Sequence, residues 1–158
     1  MSAVQESRLL SAGRVSAEEE VAVGRSLRSD VAVCRILIVD DEETVAFALR
    51  DGLEMLPNCE ILVADGGERA LQILEERPFD LLLTDYHMPG MDGITLAARV
   101  RQLYPGTVVI IITAYGDDVL RKRAARASVR RVLDKPVELN EIRRAVLEAL
   151  GRQEGARR

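Results

Sequence analysis

The chain has 158 residues, a formal net charge of −4, 47% hydrophobic residues and only 3% aromatic residues. That length accommodates one domain plus some tail, and the apolar share is enough for a packed core, which excludes a wholly disordered chain. The acidic balance and the scarcity of rings argue against bulk nucleic-acid binding, and no apolar run approaches the ~20 residues of a membrane helix.

Residues 1–33 hold Ser, Gly, Arg and the run Glu18-Glu19-Glu20 with weak periodicity. They read as a mobile N-terminal extension with a short helix around Ala17–Leu27, and they have no apolar signal-peptide core. From Cys34 short apolar runs recur: Ile36–Val39, Ile61–Ala64, Leu81–Thr84, Val108–Thr113 and Val129–Leu133. Their length and their Leu, Ile and Val content fit buried parallel strands.

Helix-period segments lie between the strands. Glu43–Leu56 is expected to turn Val45, Leu49, Gly52, Leu53 and Leu56 inward, and Glu68–Glu76 to turn in Leu71 and Leu74. Gly93–Leu103 offers Leu96, Ala97, Val100 and Leu103, Val119–Ala127 offers Leu120, Ala124 and Ala127, and Glu138–Leu150 offers Leu139, Ile142, Val146 and Ala149. Gly and Pro punctuate the junctions, as at Pro57-Asn58, Gly66-Gly67 and Pro105-Gly106. Five strands alternating with five helices predict right-handed βαβ crossovers and a parallel sheet covered on both faces. The polar tail Gly151–Arg158 is expected to fray.

Such sheets place their sites at the carboxyl ends of the strands. There the sequence puts Asp40-Asp41-Glu42-Glu43, then Asp65, Asp85, Thr113 and Lys135-Pro136. Clustered carboxylates repel unless a cation joins them, and Mg²⁺ takes carboxylates together with waters and phosphoryl oxygens. A lysine opposite neutralises a carboxylate or phosphate, a hydroxyl donates to a phosphoryl oxygen, and an Asp can be phosphorylated as a nucleophile. Singly, each has a plainer reading: Asp40-Asp41 as a helix cap, Asp85 as a turn residue, Thr113 as a strand residue and Lys135 as surface. The two cysteines, Cys34 and Cys59, lack metal-ligand spacing and read as reduced thiols, and His87 is the single histidine.

Residues 34–150 resemble the receiver domain of bacterial two-component response regulators. The resemblance rests on Ile36-Leu37-Ile38-Val39-Asp40-Asp41-Glu42, on Asp85-Tyr86-His87-Met88-Pro89-Gly90-Met91-Asp92-Gly93, on Val109–Ala114 and on Leu133-Asp134-Lys135-Pro136. It implies a flavodoxin-like (βα)5 doubly wound sheet of five parallel strands in the order 2-1-3-4-5. It also implies Asp85 as phosphoacceptor and Mg²⁺ held by Asp40, Asp41, Asp85 and the backbone carbonyl of His87. Thr113 is then the switch hydroxyl and Lys135 the phosphate-pairing cation before a cis Pro136 bond. The phosphodonor is a phosphohistidine of a sensor histidine kinase or phosphotransfer protein, and the location cytoplasmic.

The chain departs from the family at Val132, where an aromatic residue normally moves with the switch hydroxyl. Tyr115 either takes over part of that ring's role or is a loop tyrosine. With short segments on both sides, the chain reads as a stand-alone, chemotaxis- or phosphorelay-type regulator. It has no DNA-binding domain and no enzymatic activity beyond its own phosphotransfer and autodephosphorylation. Alternatives are a phosphorylation-independent receiver-like adaptor and a Mg²⁺-dependent aspartyl phosphatase. The latter places its nucleophile after the first strand, an order this chain does not follow. Residues 121–131 hold six cations and no acid. Arg121, Lys122 and Arg126 are expected to face outward, as a surface for an acidic output partner.

Overall fold

The computed structural model describes residues 32–151. The expected extension at residues 1–33, with its short helix, and the tail at 151–158 fall almost wholly outside the described residues. Five strands and five helices alternate among those described: β1 (Cys34–Val39), α1 (Glu43–Leu53), β2 (Cys59–Ala64), α2 (Gly67–Glu76), β3 (Leu81–Asp85), α3 (Gly93–Leu103), β4 (Val108–Thr113), α4 (Asp118–Arg126), β5 (Arg131–Asp134) and α5 (Leu139–Ala149). No helix among them is long and apolar enough to cross a membrane.

All four strand pairings are parallel, and the sheet order is β2-β1-β3-β4-β5. Successive residues of a strand point to opposite faces, so each central strand feeds two cores. Ile36, Ile38, Leu81, Leu83, Ile110 and Ile112 pack under α1 and α5 with Ala46, Leu53, Ile142 and Val146. Leu37, Val39, Leu82, Val109 and Ile111 pack under α2, α3 and α4 with Ala70, Leu74, Leu96, Val100, Leu120 and Ala124. Each fully buried Leu or Ile of this kind stabilises the fold by about 1.5–3 kcal/mol, enough to pin the register.

Helix starts follow local chemistry. Asp92 Oδ1 accepts the Thr95 amide at 2.7 Å and Asp117 Oδ1 accepts the Leu120 amide at 2.8 Å, capping α3 and α4. Several expected details are corrected. Helix α1 stops at Leu53 rather than Leu56: the Leu56 amide closes a tighter turn on the Leu53 carbonyl at 2.9 Å, and Pro57 disfavours helix at the residue before it. Its core contact includes Ala46, while Val45 and Leu49 are only half-buried.

On α2 the buried residues are Ala70, Ile73 and Leu74, with Leu71 half-buried. Leu103, at the last turn of α3, is 55% exposed. Strand β5 begins at Arg131, not Val129, because residues 128 and 129 close α4. Ser128 takes φ 59°, its amide donates to the Ala125 carbonyl at 3.0 Å, and the Val129 amide reaches the Ala124 carbonyl at 2.9 Å.

Candidate functional site

Three carboxylates meet at the carboxyl edge of the sheet. Asp40 and Asp41 follow β1 and Asp85 ends β3, and one oxygen from each lies within 4.8 Å of the others. Asp40 is 3% exposed, and its Oδ1 accepts the Glu42 amide at 2.9 Å. Burial pushes the Asp40 carboxyl above the ordinary carboxylate range, and the charges of Asp85 and Asp41 push the same way. The Glu42 amide and Lys135 oppose the rise without cancelling it. Lys135 Nζ stands 3.1 Å from Asp85 Oδ1, whose side chain is 10% exposed.

Thr113, at the end of β4, is fully buried. Its Oγ1 accepts the Tyr115 amide at 3.2 Å, and its carbonyl accepts the Lys135 amide at 2.7 Å. The Lys135–Pro136 bond is cis. The expected strand-end residues Asp40, Asp41, Asp85, Thr113 and Lys135 therefore converge. Asp65 is set apart, lining a recess of about 470 Å³ with Asp41, Phe47 and Arg69. A second cleft, of about 540 Å³, opens on the other side of Asp85 between α1 and the start of α5. Val45, Leu49, Val137 and Ile142 form its apolar wall, with Lys135 at the polar end.

The loop after β3 is built around a close backbone approach. The Tyr86 amide donates to the Ile112 carbonyl at 3.0 Å, and the Tyr86 carbonyl accepts the Gly93 amide at 2.9 Å. A Cβ at Gly93 would collide with the Asp85 carbonyl oxygen and stand 3.1 Å from Tyr86 Cα. Glycine at 93 therefore lets α3 start against the backbone that carries Asp85. Met88 is buried and anchors the loop, while His87 is exposed and meets the Tyr86 ring edge-on, centroids 4.5 Å apart.

The sequence matches the response regulator receiver domain family over residues 36–147. The chain belongs to this family. The receiver domain is 38% identical over 120 residues to a protein of Rhizobium etli named as a probable chemotaxis protein CheY, covering 74% of this chain and 92% of that one. It is 36% identical over 118 residues to the response regulator protein FleR of Pseudomonas aeruginosa, of which it spans only 24%. The crystal structure of a CheY-like receiver domain protein from Methanospirillum hungatei superposes with a TM-score of 0.72 at 28% identity, over 76% of this chain and 95% of that one. The signal receiver domain of an HD domain-containing protein from Pseudomonas fluorescens gives 0.70 at 36% identity, over 75% and 94%.

Two features of this receiver domain depart from the expectations. Tyr115 is 78% exposed, so its ring does not fill the space beside Val132. Val132 packs against the α2–α4 core, as does Tyr86. Arg121, expected on an outward docking face, is exposed but paired with the Asp134 carboxylate. The partners Asp134 and Tyr86 had been quoted only as parts of a motif. Their contacts span 13 and 37 residues of sequence, which no local pattern signals.

Proposed function

We propose that this chain is a single-domain response regulator that accepts a phosphoryl group on Asp85 and signals by protein contact. The observation that carries the reading is the setting of the Asp85 carboxylate. It is nearly buried, has Lys135 Nζ at 3.1 Å on one side and has two further carboxylates on the other. The donor is a phosphohistidine of a sensor histidine kinase or phosphotransfer protein. An Asp85 carboxylate oxygen attacks phosphorus, the P–N bond breaks, and the leaving imidazole keeps the electron pair and takes a proton. The product is an acyl phosphate on Asp85.

The donor set suits Mg²⁺: hard carboxylate oxygens on one edge, one of them buried with its charge disfavoured by burial. Asp40, Asp41, Asp85 and the backbone carbonyl of His87 would hold the ion, which when bound neutralises the oxygens of the transferring group. Lys135 supplies a fixed positive charge opposite, and Thr113 supplies a hydroxyl for a phosphoryl oxygen. We place the chain in the cytoplasm with its donor and give it no turnover of an external substrate. Its output contact is assigned to the exposed basic face carrying Lys122 and Arg126.

The test is labelling of the full chain by acetyl phosphate and by a phosphorylated histidine kinase, with and without Mg²⁺. Asp85→Asn is expected to abolish the acyl phosphate. Equal labelling of that variant at another residue would overturn the assignment.

A further inference from the structure

Helix α4 touches the phosphoacceptor edge through two arginines, and their partners occupy special positions. Arg121 pairs with the Asp134 carboxylate, and Arg123 Nη1 donates to Tyr86 Oη at 3.2 Å. Asp134 directly precedes Lys135, and Tyr86 directly follows Asp85. So α4 grips the residue beside each member of the Asp85–Lys135 pair. The loop that leads into α4 is held from the same edge, because the Tyr115 amide donates to Thr113 Oγ1. The far end of α4 is tied elsewhere, to α3, through Arg101 Nη1 and the Arg126 carbonyl at 2.6 Å.

These contacts suit exchange. The side chains of Arg121 and Asp134 are 43% and 50% exposed, and pairs so exposed contribute little to stability and change partners readily. The residue that normally couples the switch hydroxyl to this side of the domain is here Val132, which has neither ring nor polar atom. Tyr86, packed against the same core as Val132, has both.

We propose that the two arginine contacts couple Asp85 to α4, so that phosphorylation of Asp85 releases the helix and adds Arg121 and Arg123 to the basic face offered to an acidic partner. The proposal rests on Asp85 being the acceptor. New phosphoryl oxygens give Lys135 a different partner and so disturb Asp134 next to it. A turn of Thr113 toward the phosphoryl group withdraws Oγ1 from the Tyr115 amide. The cations of α4 then exchange an intramolecular carboxylate and a phenol for carboxylates of the partner.

Amide exchange of the full chain, followed by mass spectrometry with and without acetyl phosphate and Mg²⁺, tests this. Intact mass reports labelling in the same samples. In the wild type, labelling is expected to raise exchange in peptides covering 118–126 about tenfold, while β1 and β3 stay protected. In Tyr86→Phe with Arg121→Gln, Asp85 still labels, exchange in α4 is fast beforehand, and labelling changes it less than about twofold. Asp134→Asn, which keeps the side-chain shape, carries the same expectation in weaker form should the double variant fail to fold. A labelled wild type with unchanged exchange in α4, or variants that respond like the wild type, would overturn the coupling alone. A wild type that takes no label would overturn the acceptor assignment, and the coupling with it.

Discussion

Lys135 and Asp85 make an ion pair, Nζ to Oδ1 at 3.1 Å, although the strands that carry them are not neighbours. Strand β4 lies between β3 and β5. The lysine reaches across the end of β4, where Thr113 is buried and its carbonyl holds the Lys135 amide. Three successive strand ends are thus joined by one side chain and one backbone bond.

Lys135→Met removes the charge while keeping most of the stem. A hydrogen bond to a charged group contributes about 1.5–3 kcal/mol, so labelling of Asp85 by acetyl phosphate should slow by about 10- to 100-fold. Far-ultraviolet circular dichroism should stay that of the wild type. An unchanged labelling rate would make the lysine a structural partner only.

Asp40→Asn should stabilise the metal-free protein at neutral pH. Burial raises the folded-state pKa of Asp40 above its unfolded value, so the folded protein holds that proton more tightly. Ionisation therefore costs stability as pH rises from the unfolded value through the folded one, and the cost is full above both. Asparagine keeps an acceptor for the Glu42 amide without the charge. Thermal melts in a chelator should show a higher Tm for the variant at pH 7, with the gap closing as pH falls toward ~4, the ordinary carboxylate range.

Mg²⁺ should raise the melting temperature of the wild type. Binding to the folded state alone stabilises by about 2.7 kcal/mol when free ligand is a hundredfold above Kd. Asp41 is exposed and lies at the mouth of the carboxylate cluster. Asp41→Ala should leave the metal-free fold intact and shrink the Mg²⁺-induced shift. An equal shift in both proteins would reduce Asp41 to a residue at the start of a helix.

Gly93→Ala tests the backbone approach at the head of α3. The added Cβ meets the Asp85 carbonyl and Tyr86 Cα, which are backbone atoms and cannot rotate away. The cost expected for forced overpacking is about 1–3 kcal/mol, read as a lower urea midpoint at constant m-value. Labelling of Asp85 should fall as well, since the strain acts on its own peptide. The same substitution at Gly106, where a Cβ would meet nothing within 4 Å, serves as the control.

Much of this receiver domain was legible in the amino-acid sequence. The period-2 alternation of Ile36-Leu37-Ile38-Val39 sends its residues to two different cores, because a strand between two helical layers must be apolar on both faces. The strand-end residues Asp40, Asp41, Asp85, Thr113 and Lys135 were likewise readable, since a parallel sheet gathers the carboxyl ends of its strands on one edge. Tertiary structure decided what periodicity does not encode. Leu103 stands at a helical core position yet is exposed, because α3 outruns the sheet it covers. Val129 continues an apolar run, yet it closes α4 instead of opening β5. Arg121 looked like one more solvated cation until folding brought the end of β5 beside it. Local sequence sets the spacing of side chains along a single element, whereas meetings such as Arg121 with Asp134 and Arg123 with Tyr86 depend on how separate elements pack.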